Sequence, residues 1–276
     1  MKVYSVFYEG TILKKYGLKK AIHQGNVLYG IGLSTAASSF VEIIGYSGFD
    51  YVFIDMEHTT IELESLSDLI IASEVAGVFP IVRMSENDPV QLRKVIELGA
   101  EGVIIPHIST QRDAEKAVQA TRFPPEGIRS YASLVRSHTF DLPKSDLSDY
   151  LKKSNEEIAV IPLIEDKEAV ENIDKILDVK GVDAIFLGPA DLSVSMGLPG
   201  QYDSETIQTS LEKTVKAATS KGIPVMSEIS YLARPVSVEN IRNLIERGLR
   251  LIMFGTVEGA VRANCLNVME NIIKRL

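Results

Sequence analysis

Short apolar runs recur along the chain, and one after another they end in a polar residue suited to chemistry. Runs of strand type fall at positions 27–34, 51–55, 79–83, 102–106, 158–165, 183–188, 223–227 and 249–254. They are rich in Val, Ile, Leu and Phe without strict alternation, as expected of parallel strands covered on both faces. Between them the apolar period lengthens to that of helices. Positions 61–75 set Leu63, Leu66, Leu69, Ile70 and Ser73 on one face, and positions 88–98 repeat this with Val90, Leu92, Val95, Ile96 and Leu98. In Asn87-Asp88-Pro89 a capping residue precedes a first-turn proline, which marks a helix start. Gly99 and Gly248 stand where a left-handed C-cap is needed.

Eight strands alternating with helices over about 250 residues predict an α/β fold of the (β/α)8 barrel type. The barrel is expected to form one domain over residues 1–276, with 257–276 as an apolar C-terminal helical segment. An open doubly wound sheet is the alternative, but no Gly-x-Gly-x-x-Gly follows the first strand. The longest irregular stretch runs from about 122 to 148, a length usually reserved for function or motion.

Composition narrows the class. Charged residues make up 24% and hydrophobic residues 45%, as in an ordinary globular protein, and the net charge of −8 argues against nucleic acid or an acidic membrane as partner. No stretch approaches the roughly 20 apolar residues of a membrane span, and positions 1–10 break their apolar character too early for a signal peptide. The single Cys265 fits a reducing cytoplasm and excludes a cysteine-rich metal site, so any metal must be held by carboxylates, His and water.

A buried strand presents a charged group at its tip far more cheaply than in its middle, and parallel strands bring all such tips to one rim. Glu165 and Asp191 close successive strands and suit a hard cation such as Mg²⁺ or Mn²⁺. Read blandly, Asp191 caps a turn and Glu165 pairs with Lys167. In Asp55-Met-Glu-His58 the Asp can orient the His as a base, and Glu57 can hold metal-bound water or simply face a helix dipole. Arg83 needs an anion, either substrate or one of Asp55 and Glu57. His107 reads as pocket lining, Arg129 and Ser130 as contacts to substrate or a neighbouring subunit, and Glu228 as a rim or surface residue.

These residues resemble the HpcH/HpaI aldolase/citrate lyase family, in particular its class II 2-keto-3-deoxy acid aldolases. The resemblance rests on Gly48-Phe-Asp-Tyr-Val-Phe-Ile-Asp-Met-Glu-His58, Val82-Arg83 with Asn87-Asp-Pro89, and Leu98-Gly-Ala-Glu-Gly-Val-Ile-Ile-Pro106. It continues in Ala120-Thr-Arg-Phe-Pro-Pro-Glu-Gly-Ile-Arg129 and in Gly181-Val-Asp-Ala-Ile-Phe-Leu-Gly-Pro-Ala-Asp-Leu-Ser193.

The resemblance implies a barrel of the phosphoenolpyruvate/pyruvate type with Mg²⁺, Mn²⁺ or Co²⁺ on Glu165 and Asp191. It implies a trimer or hexamer whose C-terminal helix crosses to a neighbour. The implied reaction is reversible cleavage of a 4-hydroxy-2-oxo or 2-keto-3-deoxy acid to pyruvate and an aldehyde through a metal-stabilised enolate. His58, oriented by Asp55, would be the base and Arg83 the enolate stabiliser, with Gly188, Pro189, Ala190, Asp191, Arg83 and His107 around the substrate. Met56, Thr59-Thr60, Ser130, His107 and the Met226-Ser-Glu-Ile stretch depart from the family's usual residues. They bear on substrate choice. Competing readings are an oxaloacetate-type decarboxylase, a catalytically weak barrel that binds a small acid, and a CoA-thioester lyase, which lacks an evident basic patch here.

Overall fold

The computed structural model describes residues 17–141, 146–232 and 236–276; the first ten positions, read above for a signal peptide, lie outside them. Eight parallel strands close into a barrel in chain order: β1 (Leu28–Leu33), β2 (Tyr51–Asp55), β3 (Phe79–Arg83), β4 (Gly102–Ile105), β5 (Ala159–Ile164), β6 (Ile185–Leu187), β7 (Val225–Glu228) and β8 (Leu249–Thr256). The predicted barrel is the observed one, and β1 pairs with β8 to complete the ring.

The alternation of side chains along each strand sorts them into two cores. Residues of one parity, including Tyr51, Phe53, Phe79, Ile81, Ile161, Leu163, Phe186, Met226 and Met253, fill the barrel interior. Residues of the other parity, such as Val52, Ile54, Val82, Val103 and Ile164, pack against the surrounding helices. The interior is crowded enough that Gly30 on β1 is needed for space, since a Cβ there would lie 2.3 Å from the Tyr51 ring. The helix Leu18–His23 plugs the bottom of the barrel with Leu18, Ala21 and Ile22.

Of the predicted helices, Leu63–Ala76 buries Leu66, Leu69, Ile70 and Ser73 as expected, with Ala72 beside them. Pro89–Leu98 starts where Asp88 accepts hydrogen bonds from the N–H groups of Val90 and Gln91, and it ends in a left-handed Gly99. The long irregular stretch is more structured than predicted. It holds a 3₁₀ turn at Arg136–Asp141, and the helix Leu147–Glu157 begins before it ends. Arg129 does not face a neighbour or the rim: it is buried, lies 4.4 Å over the Phe123 ring and donates to Ser154 Oγ at 3.0 Å. Ser130 accepts from Arg93 at 2.7 Å. The C-terminal segment forms a helix, Val257–Asn271, with no buried residue and with Val261, Leu266 and Met269 exposed.

Candidate active site on the C-terminal rim

Following the inward parity of each strand one step past the apolar interior leads to Asp55, Arg83, Glu165, Gly188 and Glu228. All of them line one cavity of about 230 Å³ at the rim, together with His58 and Asp191. A larger hollow of about 730 Å³ opens on the opposite face, lined in part by Lys19, His23, Arg122 and Asp183. Its buried carboxylate is already satisfied, because Asp183 is paired with Lys19 at 3.0 Å and His23 at 2.9 Å and accepts from the Val160 N–H. Barrel chemistry belongs to the C-terminal rim, and the clustered acids are there.

The segment after β2 is folded by Asp55 itself. One carboxylate oxygen accepts from the N–H groups of Glu57 (2.9 Å) and His58 (3.4 Å), an Asx turn that reverses the chain at the strand end. Thr59 Oγ1 donates to the Asp55 carbonyl and closes the turn. Met56 therefore points outward into the helix-side core, while Glu57 returns to the rim. Asp55 and Arg83 are register partners on adjacent strands, and Arg83 forks onto the carboxylate, Nε to Oδ1 at 2.9 Å and Nη2 to Oδ2 at 2.7 Å. Arg83 Nη1 also lies 3.2 Å from Glu57 Oε2.

Burial alone would raise the Asp55 carboxyl, but the Arg83 bonds and charge, helped by the two N–H groups, bring it below its ordinary value. Stability from this pair is therefore present above the unfolded-state carboxyl value of about 3.9 and is lost as pH falls through the lower folded value.

This geometry corrects the expected pairing of Asp55 with the His58 ring. Asp55 touches only the His58 backbone; the imidazole Nε2 instead stands 3.7 Å from Glu57 Oε2 and is largely exposed on the cavity wall. The expected Lys167 partner for Glu165 is also absent, because Lys167 pairs with Glu171.

Glu165 is buried and accepts from the His107 N–H at 2.8 Å. His107 takes a left-handed backbone conformation, φ 56°, which swings its ring between two acids, 3.2 Å from Glu165 and 3.4 Å from Glu57. Ligand atoms of Glu57, His107 and Glu165 all lie within 4.8 Å of one another. Sequence reasoning placed Glu57 outside this shell and His107 on the pocket wall, and it paired Glu165 with Asp191 instead. Asp191 lines the same cavity in the first turn of the helix Pro189–Ser195 but stands outside the tightest cluster. Burial pushes the Glu165 carboxyl up, the charges of Glu57 and Asp191 push it further, and the His107 N–H opposes them. Arg83 offsets this crowding only in part, since Asp55 holds its fork and one nitrogen is left for Glu57. Such a set of anionic oxygens with one imidazole fits a divalent cation.

Gly188 is required by space, not by conformation. A Cβ there would stand 2.7 Å from Glu165 Cβ and 3.2 Å from Leu163 Cδ1. Its N–H is used by the Ile164 carbonyl and Pro189 has none, which leaves the first-turn N–H groups of Ala190 and Asp191 without an intrahelical acceptor. Gly188→Ala is expected to displace Glu165, lowering the stability by about 1–3 kcal/mol in urea unfolding and weakening Mn²⁺ affinity in titration calorimetry. Unchanged values in both would show that the loop relaxes freely.

A closed parallel barrel with its acids, one base and a braced guanidinium gathered on the C-terminal rim defines a barrel enzyme acting at that rim. The chain belongs to the HpcH/HpaI aldolase/citrate lyase family, whose model spans residues 29–265. It is 35% identical over 215 residues to the 4-hydroxy-2-oxo-heptane-1,7-dioate aldolase of Shigella sonnei, covering 76% of this chain and 80% of that one. It is 30% identical over 256 residues to the 5-keto-4-deoxy-D-glucarate aldolase of Salmonella paratyphi A, covering 93% and 96%. Among solved structures it is similar to an HpcH/HpaI aldolase from Desulfitobacterium hafniense, with TM-score 0.83, 28% identity and coverage of 95% and 98%.

Proposed function

We propose that the protein is a class II aldolase that reversibly cleaves a 4-hydroxy-2-oxo or 2-keto-3-deoxy acid to pyruvate and an aldehyde. The observation that carries this reading is the convergence of Glu57, His107 and Glu165 beside an Arg83 held rigid by Asp55. Both curated relatives are named as aldolases of oxo acids. Mg²⁺, Mn²⁺ or Co²⁺, held by Glu165 with Glu57, His107 and Asp191 as the neighbouring donors, would polarise the keto oxygen as a Lewis acid.

The chain's own groups supply the rest. The N–H groups of Ala190 and Asp191 offer hydrogen bonds to the substrate carboxylate. His58 Nε2 is the candidate to take the proton of the C4 hydroxyl as the C3–C4 bond breaks, and it stands 3.7 Å from Glu57 Oε2. Arg83 faces the oxygen that gains negative charge. Phe53 and Phe186, in edge contact at 5.8 Å, form an apolar floor that limits water. No Lys lines the cavity among the described residues, which removes support for an imine route.

The exposed apolar side chains of Val257–Asn271 support assembly into a trimer or hexamer, with this helix exchanged between subunits. No helix among the described residues is long and apolar enough to cross a membrane, and we place the protein in the cytoplasm.

The test is pyruvate release from a set of 4-hydroxy-2-oxo acids, with oxaloacetate as a parallel arm, in Mg²⁺ or Mn²⁺ and in EDTA. Release from the hydroxy-oxo acids is expected to be lost in EDTA. Equal rates with chelator overturn the metal dependence, and release from oxaloacetate alone makes the protein a decarboxylase.

A further inference from the structure

We infer that Glu228 sets the specificity for the aldehyde half of the substrate, accepting a neutral, hydroxyl-bearing chain and rejecting one that ends in a carboxylate. The inference rests on the aldolase reading above and concerns the end of the substrate which that reading leaves open.

Glu228 is the last residue of β7 and has the parity of Met226, which fills the barrel interior; its side chain accordingly lines the rim cavity. In a ring of eight strands in chain order, β7 lies directly across from β3, the strand that carries Arg83. The clustered donor groups follow β2, β4 and β5 and the N–H groups assigned to the substrate carboxylate follow β6, so the keto-acid end takes that part of the rim and leaves the mouth open toward β7, β8 and β1. A substrate anchored there extends its remaining carbons across the mouth toward the arc of β7, β8 and β1.

That arc is built for hydroxyl groups. Ser34, Thr256 and Tyr231 line it, and the Tyr231 ring is braced edge-on by Tyr202 at 5.1 Å. Ser230 Oγ donates to Glu228 Oε1 at 2.5 Å, which fixes the carboxylate on the arc, and a Cβ at Gly255 would come to 4.0 Å from the same oxygen. Among the described residues no cation pairs with Glu228. The basic side chains on the cavity wall are Arg83, held by Asp55 and Glu57, and His58, which stands by Glu57; the acids of the wall are Asp55, Glu165, Asp191 and Glu228 itself. Among the described residues a second carboxylate on the substrate would therefore meet the Glu228 carboxylate without a counter-charge, whereas a hydroxyl would find an acceptor. The two relatives compared above are named for dicarboxylates, a heptane-dioate and a glucarate.

The test runs in the aldol direction, with pyruvate, Mn²⁺ and four aldehydes: glycolaldehyde and glyceraldehyde as neutral acceptors, glyoxylate and succinic semialdehyde as anionic ones. The parent is expected to favour the neutral pair by at least about ten-fold in kcat/KM. Glu228→Gln and Glu228→Ala are expected to cross the preference, lowering kcat/KM for glyceraldehyde and raising it about ten-fold for succinic semialdehyde. A folding defect lowers both together and cannot produce that crossing. Parallel changes, no change, or a parent that prefers the anionic aldehydes overturn the inference and leave the aldolase reading standing. A parent inactive with all four, with and without metal, overturns the aldolase reading and the inference with it.

Discussion

Glu165→Gln is expected to yield a folded barrel that is more stable than the parent without metal, no longer stabilised by metal, and almost inactive. The reasoning starts from burial. Glu165 is 4% exposed, and its charge is opposed by burial and by the nearby charges of Glu57 and Asp191. Gln has the same shape and still accepts the His107 N–H, so the substitution removes an ill-tolerated charge and keeps its hydrogen bond. Metal-free thermal unfolding should therefore shift upward.

The same change removes the most buried of the proposed anionic ligands. Metal binding stabilises the native state by mass action, so the rise in melting temperature that Mn²⁺ gives the parent should largely vanish. Loss of about 4 kcal/mol of Lewis-acid stabilisation corresponds to roughly a 10³-fold fall in kcat/KM. The three readouts move in different directions, which a general folding defect cannot imitate. A variant that kept the parent's metal-induced stabilisation would remove Glu165 from the ligand set.

How far the sequence carried depended on what each residue's neighbours had to do. β2 and β3 end at Asp55 and Arg83, as the apolar runs predicted, because the two strands pair with each other in unbroken register along their whole length. β7 and β8 were less legible. β7 is displaced to Val225–Glu228 and β8 runs on to Thr256, and the register between these two strands shifts at a bulge that no composition signal announces. Asp55, Arg83, Glu165 and Asp191 were all found from their place at strand tips. Their partners were not. Asp55 and His58 are three residues apart, which suggested a pair, but Asp55 spends its lone pairs on the backbone N–H groups of its own turn and on Arg83, which lies across the barrel wall rather than along the chain. His107 reaches the acids through a left-handed backbone conformation rare outside glycine, so nothing in its residue type foretold it. Glu57, read from the sequence as a holder of metal-bound water, comes into direct reach of His107 and Glu165 because Met56 faces outward and leaves its neighbours on both sides facing the rim.

Arg83→Lys keeps the charge and is expected to lose most of the activity. The guanidinium does two things through its shape: it forks onto both oxygens of Asp55, and it sends a third nitrogen toward Glu57 Oε2. Its plane also lies 5.4 Å over the Phe53 ring. A lysine ammonium is a point charge that cannot fork, so Asp55, which is 5% exposed, loses at least one of its two guanidinium hydrogen bonds. Stability should fall by about 1–3 kcal/mol, and in Arg83→Ala by about 3–5 kcal/mol, because the buried carboxylate is then left uncompensated. Loss of a positioned donor at the developing charge corresponds to about 10²–10³ in kcat.

Structure and chemistry can then be separated by a second change. Asp55→Asn combined with Arg83→Gln removes both charges together, which should recover most of the stability measured in urea and none of the turnover. If the double variant regained activity, Arg83 would only be bracing the rim. If it stayed inactive at near-parent stability, the guanidinium acts on the substrate, and Asp55 serves to hold it there.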